Sequence, residues 1–272
     1  MSKINFTLIG PGAVGRALTR ALVKADYRLL TVIGLDTAQD RRFARKMGVK
    51  WSADLRQLPA ETGLIIVAVP DSQLRQVAAG LARQKLPWKK IAVLHTAGAL
   101  GAEVFTRLEG LGAGVGACHP FMTFPSRGRP PRLAGVTFGI DGNEAGLKAA
   151  RKLARSLKGK PLEISGQQRV LYHLAAVLSC GMVSANLLMA QQVLCSLGMS
   201  EKRALETILP ISAGTLSNIK ELGVRDAMTG PAVRGDTATI RSHLADLKKL
   251  DPELAKVYRE ISKWILGKGE LK

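Results

Sequence analysis

The sequence predicts an α/β protein, a doubly wound parallel sheet followed by an all-helical region. Three observations carry that expectation. An apolar run, a G-x-G-x-x-G turn and a helical pattern follow one another without a gap over residues 4–18. Short apolar strands then alternate with amphipathic helices up to about residue 164, the pattern of repeated strand–helix–strand units. From Gln167 onward only helical spacing recurs. The chain of 272 residues has room for two modest domains, expected at 1–164 and 165–272.

Ile4, Phe6, Leu8 and Ile9 read as a strand buried on both faces. Gly10-Pro11-Gly12-Ala13-Val14-Gly15 follows, and Val14, Leu18, Ala21 and Leu22 continue at helical spacing. In a dinucleotide fingerprint the first glycine makes the turn, the second admits the pyrophosphate and the third lets helix and strand pack closely. The helix N-terminus supplies N–H groups and partial positive charge. The expected cofactor is therefore NADP or NAD, held by Gly10, Gly12, Ala13, Val14 and Gly15. Arg28–Ile33 reads as a second strand. Asp36, 21 residues after Gly15, either holds the adenosine ribose or caps the next helix, while Arg41 and Arg42 offer charge to a 2′-phosphate. Leu64–Val69 is a further buried strand stopped by Pro70, and Val69 and Pro70 complete the expected cofactor contacts. Asp71 or Ser72 is placed to cap the helix that follows.

Ile91–Leu94 and Val115–Cys118 read as strands that run into His95 and His119. Ligands of open α/β sheets sit outside such carboxyl ends. Pro125–Arg132 is a basic, proline-rich loop, either a lid offering Arg127, Arg129 and Arg132 to an anion or a solvated surface loop. Gly135–Ile140 is expected to be an edge strand and Asn143–Leu157 a helix. Gln167–Leu197 shows helical spacing throughout, Ser200–Leu222 is helical with a break or kink at Pro210, and 236–250 and 252–266 form two more helices.

The formal net charge is +19, and residues 1–164 hold 26 Lys and Arg against 11 Asp and Glu. The charges are scattered with few aromatics between them, so a solvated basic face is expected rather than specific nucleic-acid binding. No unbroken apolar run reaches the ~18 residues of a membrane span, and the fingerprint begins too early for a leader peptide. Cys118, Cys180 and Cys195 lack metal spacing and read as buried thiols of a cytoplasmic protein.

Taken together, GPGAVG (10–15), VAVPD (67–71), HTAGA (95–99), HPFMTF (119–124), YHLAAVL (172–178) and TGPAVRGDTATIRSHL (229–244) resemble one family. It is the Rossmann-type family with a C-terminal domain of unknown function 2520, similar in plan to ketopantoate reductase and pyrroline-5-carboxylate reductase. The resemblance implies an NAD(P)-dependent oxidoreductase acting on a small, carboxylated metabolite, with a helical substrate and dimerisation domain. A non-catalytic dinucleotide-binding sensor is the alternative. One departure stands out: the Asn that relatives carry about eight residues after the helix histidine is Gly181 here, with Ser179 and Asn186 nearby.

All four histidines fall in these motifs. Reduction of C=O or C=N needs a proton donor and stabilisation of the developing anion. His173 is the expected donor, with His119 and His95 lining the cleft. His173 is expected to open the second domain and to reach the cofactor from there. Arg234, Asp236 and His243 are the expected substrate contacts; Asp236, Thr239 and His243 share a helix face, and Asp236 is equally a good helix N-cap. A homodimer is expected, because Gln167–Leu197 is apolar on more than one face.

Overall fold

Alternation along the first strand sets the sheet. Phe6 and Leu8 of β1 (Asn5–Ile9) enter one core and Ile9 the other, and all are buried. The same division recurs in β4 (Leu64–Val67), where Leu64 and Ile66 face one core and Ile65 and Val67 the second. Strands covered on both faces are what a parallel sheet with helices on each side requires.

The structure, a computed structural model, describes residues 3–269. Two compact units divide at Cys180/Gly181, and each is described by itself. In the first, β1 is followed by α1 (Ala13–Lys24), β2 (Arg28–Ile33), α2 (Ala38–Lys46), β3 (Lys50–Ser52), β4, α3 (Asp71–Ala82), β5 (Ala92–His95) and α4 (Thr106–Gly110). Then come β6 (Gly114–Pro120), β7 (Thr137–Gly142), α5 (Glu144–Ser156), β8 (Lys160–Glu163) and α6 (Arg169–Ser179). The sheet order is β3-β2-β1-β4-β5-β6-β7-β8. Every pairing is parallel except β6–β7. One core holds Leu18 and Leu22 of α1, Phe43 of α2 and Leu153 of α5. The other holds Leu74 and Leu81 of α3 and Leu108 of α4. The strand order reverses between β2 and β4, with β1 at the pivot, which opens a crevice at the carboxyl ends of β1 and β4.

Several expectations change. The sheet is mostly rather than wholly parallel. The strand expected at Gly135–Ile140 lies inside the sheet, because β8 pairs on its outer side. β8 and β3 are short and at least partly exposed, so neither carries the apolar run that marks a buried strand. Thr37, not Asp36, caps α2 by accepting from Asp40 N–H at 3.1 Å. Neither Asp71 nor Ser72 caps α3, whose N-cap is Pro70. Only Cys118 of the three cysteines is buried; Cys180 is exposed and Cys195 half-buried.

The second unit is helical: α7 (Gly181–Ser196), α8 (Glu201–Leu222), α9 (Thr237–Leu250) and α10 (Pro252–Gly269). α7 packs on α8 and α9 on α10. The expected continuous helix over Gln167–Leu197 is two helices, broken where Cys180 takes φ −127° and ψ −72°. Gly181 follows at once and has the weak helix propensity that suits such a break. By length and composition Gly166–Ser196 passes as a membrane span, with mean hydropathy 1.6 over its most apolar window and none of that window buried. Pro210 lies inside α8, which continues through it. Asp236 is the N-cap of α9, its Oδ1 accepting from Thr239 N–H at 3.0 Å and its Oδ2 from the Thr239 hydroxyl at 2.6 Å. Both oxygens are engaged in the cap, so Asp236→Ala should cost about 1 kcal/mol in urea unfolding.

Candidate active site

The cleft at the pivot of the sheet has a volume of about 580 Å³. Its floor is Ile9, Gly10, Pro11 and Gly12, with Ala68, Val69 and Pro70 beyond β4 and Gly34, Leu35 and Thr37 beyond β2. Gly10 has φ +86°, and a Cβ there would lie 2.6 Å from the Ala68 carbonyl oxygen. A Cβ on Gly15 would overlap the Gly10 carbonyl. Gly12 is different: a Cβ there meets only the Ala68 oxygen, at 3.9 Å. Two glycines are thus fixed by backbone crowding, and the third faces open space at the start of α1. No side chain caps α1, and its first turn carries no acidic residue. A dinucleotide pyrophosphate fits this arrangement, because the helix N-terminus is left to an anion.

Of the residues expected to touch the cofactor, Gly10, Gly12, Val69 and Pro70 line the cleft. Val14 packs against the core, and Ala13 lines a small hollow shared with Arg16, Arg20 and the proline-rich loop. Asp36 is exposed and away from the cleft wall, ion-paired with Arg41, whose Nε donates to it at 2.6 Å. The carboxylate on the wall is Asp40, from the first turn of α2. Arg127, Arg129 and Arg132 are exposed.

Beyond β5 and β6, three histidines converge. His95 ends β5 and is fully buried, its Nε2 2.9 Å from the Gly101 carbonyl and its Nδ1 without a partner. His119 lies near the end of β6, and His173 is on α6. The His119 and His173 rings are 5.7 Å apart at 85°. Both aim at Gly98, where a Cβ would overlap His173 Nδ1 and lie 3.0 Å from His119 Nε2. His173 Nδ1 is buried and has no protein partner. The Tyr172 hydroxyl accepts from Gly139 N–H at 3.0 Å and donates to the His119 carbonyl at 3.3 Å, which anchors α6 to the strand ends. α6 therefore belongs with the sheet: the first unit runs past the expected boundary at 164/165, and His173 joins His95 and His119 within it.

Arg169 opens α6 and was not among the residues singled out in the sequence. It is fully buried, donates from Nη2 to the Ala97 carbonyl at 3.1 Å, and leaves Nε and Nη1 without partners. Among the described residues it has no ion pair, although Asp141 and Glu103 act on it from a distance. A lone arginine near a helix start carries no periodicity or spacing that would mark it. Burial holds His95 down at about 4, helped by Arg169, and holds His119 down at about 4, helped by His173, Arg169 and His95. Both are neutral near pH 7 and act as hydrogen-bond partners. Burial pushes the Cys118 thiol up to about 12, which leaves it inert. Among the described residues no group of three His, Cys, Asp or Glu side chains is placed to hold a metal ion.

Arg234, Asp236 and His243 lie in the second unit. Arg234 is exposed just before α9, and His243 Nδ1 lies 2.8 Å from the Tyr258 hydroxyl. His243 and Tyr258 line a cavity of about 750 Å³ with Asn186, Met189 and Val193. Ser179 bonds the Ala175 carbonyl at 2.8 Å.

Residues 1–120 match the model of the Rossmann-like domain, and 136–265 match a domain of unknown function, DUF2520. A candidate NADP oxidoreductase from Bacteroides fragilis is 26% identical, with 98% of this chain and 99% of that chain covered and a TM-score of 0.84. A pyrroline-5-carboxylate reductase from Coxiella burnetii is 18% identical, covers 97% and 99%, and has a TM-score of 0.62. A reductive aminase from Aspergillus terreus, solved with NADPH and ethyl levulinate, is 18% identical, covers 98% and 93%, and has a TM-score of 0.68. At that identity the last two share the fold. No curated protein matches the sequence.

The neutral histidines set an acid limit. An unfolded His95 takes up its proton near 6.5, the folded one only near 4. The unfolded chain binds more protons between these values, so stability is whole above about pH 6.5 and falls as pH drops toward 4. The loss from His95 alone is on the order of 3 kcal/mol. His95→Gln should flatten urea unfolding against pH over that window. In Arg169→Met the His119 imidazole should titrate higher by NMR, because a like charge is gone.

Proposed function

We propose that this chain, a Rossmann-like domain joined to a DUF2520 domain, is an NAD(P)-dependent oxidoreductase acting on a small, carboxylated metabolite. The observation that carries the reading is the uncapped start of α1, open at Gly12, on the floor of the crevice where the strand order reverses. The bound cofactor supplies or takes the hydride. Gly10, Gly12 and the α1 N-terminus hold its pyrophosphate, and Val69 and Pro70 wall the cleft.

His173 serves as the proton donor from Nδ1, the buried ring nitrogen that no protein group engages. His119 and His95, both neutral, orient the groups around it. Arg169 is a positioning residue: it ties the Ala97–Gly98 turn to α6, and its charge adds to the burial that keeps the two histidines unprotonated. Relatives of this fold named as pyrroline-5-carboxylate reductase and reductive aminase favour a C=N or C=O substrate.

The working form is a homodimer. Leu188 of α7 and Ile211 and Leu216 of α8 are 55%, 72% and 61% exposed, while only Ala204 and Ile208 of α8 are buried. Apolar side chains at this density need cover, and a second copy provides it with closed symmetry.

Two measurements test these readings. Gly12→Val adds a Cβ that meets nothing closer than 3.9 Å and fills the pyrophosphate space. Calorimetry should show dinucleotide binding to wild type and a loss of at least about 100-fold in the variant, equivalent to some 2.7 kcal/mol. Equal affinity would refute the site. Light scattering should give twice the chain mass for wild type, and Ile211→Glu with Leu216→Glu should give a monomer. A monomeric wild type removes the dimer.

A further inference from the structure

From the wall of the cofactor cleft we infer that this chain selects NAD(H) over NADP(H), with the Asp40 carboxylate as the residue that reads the adenosine ribose. The inference rests on the dinucleotide reading above and adds the form of the coenzyme.

β2 ends at Ile33, and the residue after it, Gly34, is where a side chain would enter the cleft from that strand. The position is closed to one: a Cβ on Gly34 would lie 2.6 Å from Pro11 Cδ and 2.8 Å from Asp40 Oδ2. Asp40 brings its carboxylate to that place from α2 instead. The Thr37 cap fixes the first turn of the helix and with it the direction of Asp40. Asp40 keeps only 9% of its surface exposed, and among the described residues no ion pair engages it. Burial pushes its carboxyl upward, and the Thr37 hydroxyl and the Arg16 charge oppose that shift.

Neither Arg41 nor Arg42, the arginines that follow Asp40, lines the cleft. Arg41 is ion-paired with Asp36, and its guanidinium stacks 4.9 Å from the Trp51 ring centre. Arg42 is exposed and not on the wall. Arg16 and Arg83 are the cations that line the cleft. Arg16 donates to the Pro11 carbonyl at 2.9 Å and faces Asp40, which offsets its charge, and Arg83 stands at the far end of α3. A ribose diol offers two donors to an acceptor-only carboxylate. A 2′-phosphate offers none, and places like charge against a nearly buried anion. The Bacteroides fragilis relative is named for NADP, so this chain's cleft predicts a different preference from that name.

Calorimetry on the full chain with NADH and with NADPH tests the inference. Wild type should bind NADH at least about tenfold more tightly than NADPH, the scale of a hydrogen bond to a charged group. Asp40→Asn should weaken NADH by about tenfold and leave NADPH little changed. Leu35→Arg alters a cleft residue that is 66% exposed, so it leaves the core untouched and stands in should the Asp40 variant fail to fold. It should raise NADPH affinity several-fold. NADPH binding as tightly as NADH to wild type overturns the inference and leaves the dinucleotide reading intact. Binding of neither coenzyme overturns both.

Discussion

The close approach of two backbones at Gly10 and Gly15 is the constraint on which the first unit depends. The Gly15 Cα sits so near the Gly10 carbonyl that no side chain fits between them, and Gly10 itself is pressed against Ala68 beyond β4. That contact sets α1 directly on β1 and brings the end of β4 beside the turn. The crevice, the orientation of the helix dipole and the open face at Gly12 all follow from it. A larger residue at Gly10 or Gly15 would separate helix from strand, and the anion site would go with the packing.

A second constraint is electrostatic. Arg169 is buried with no carboxylate in ion-pair range, next to three histidines. A buried cation of this kind is expensive to hold, because no opposite charge repays its desolvation. Burial keeps His95 and His119 neutral and the Arg169 charge adds to it, while the same side chain fixes the turn at Ala97–Gly98 onto which His119 and His173 aim. Geometry and charge are supplied by one residue, so the effects of altering Arg169 and either histidine will not add.

The second unit obeys a different rule. Its helices pair, yet they leave large apolar side chains in water, as at Ile211 and Leu216. Four helices enclose too little volume to cover every face of two of them. That uncovered apolar surface is the observation on which the proposed second copy rests.

The sequence by itself determined the α/β plan with its helical second part, the glycine turn and its place at the end of β1, the boundaries of β2, and the cap at Asp236. These are local properties: each rests on residue type and spacing within a dozen positions. The tertiary structure decided what spacing does not encode. β3 and β8 were hidden because edge strands bury little and need no apolar run. Residue count pointed to Asp36 as the acid nearest the ribose, but Asp36 turns out to Arg41 and Asp40 turns in, a choice made by the room that Gly34 and Pro11 leave. The three histidines could be listed from motifs, but the meeting of His119 and His173 at Gly98 depends on α6, more than 70 residues downstream of that turn, packing against the sheet. Arg169 had no signal in the sequence at all, because a buried unpaired charge is defined by what surrounds it, and only the folded chain supplies the surroundings.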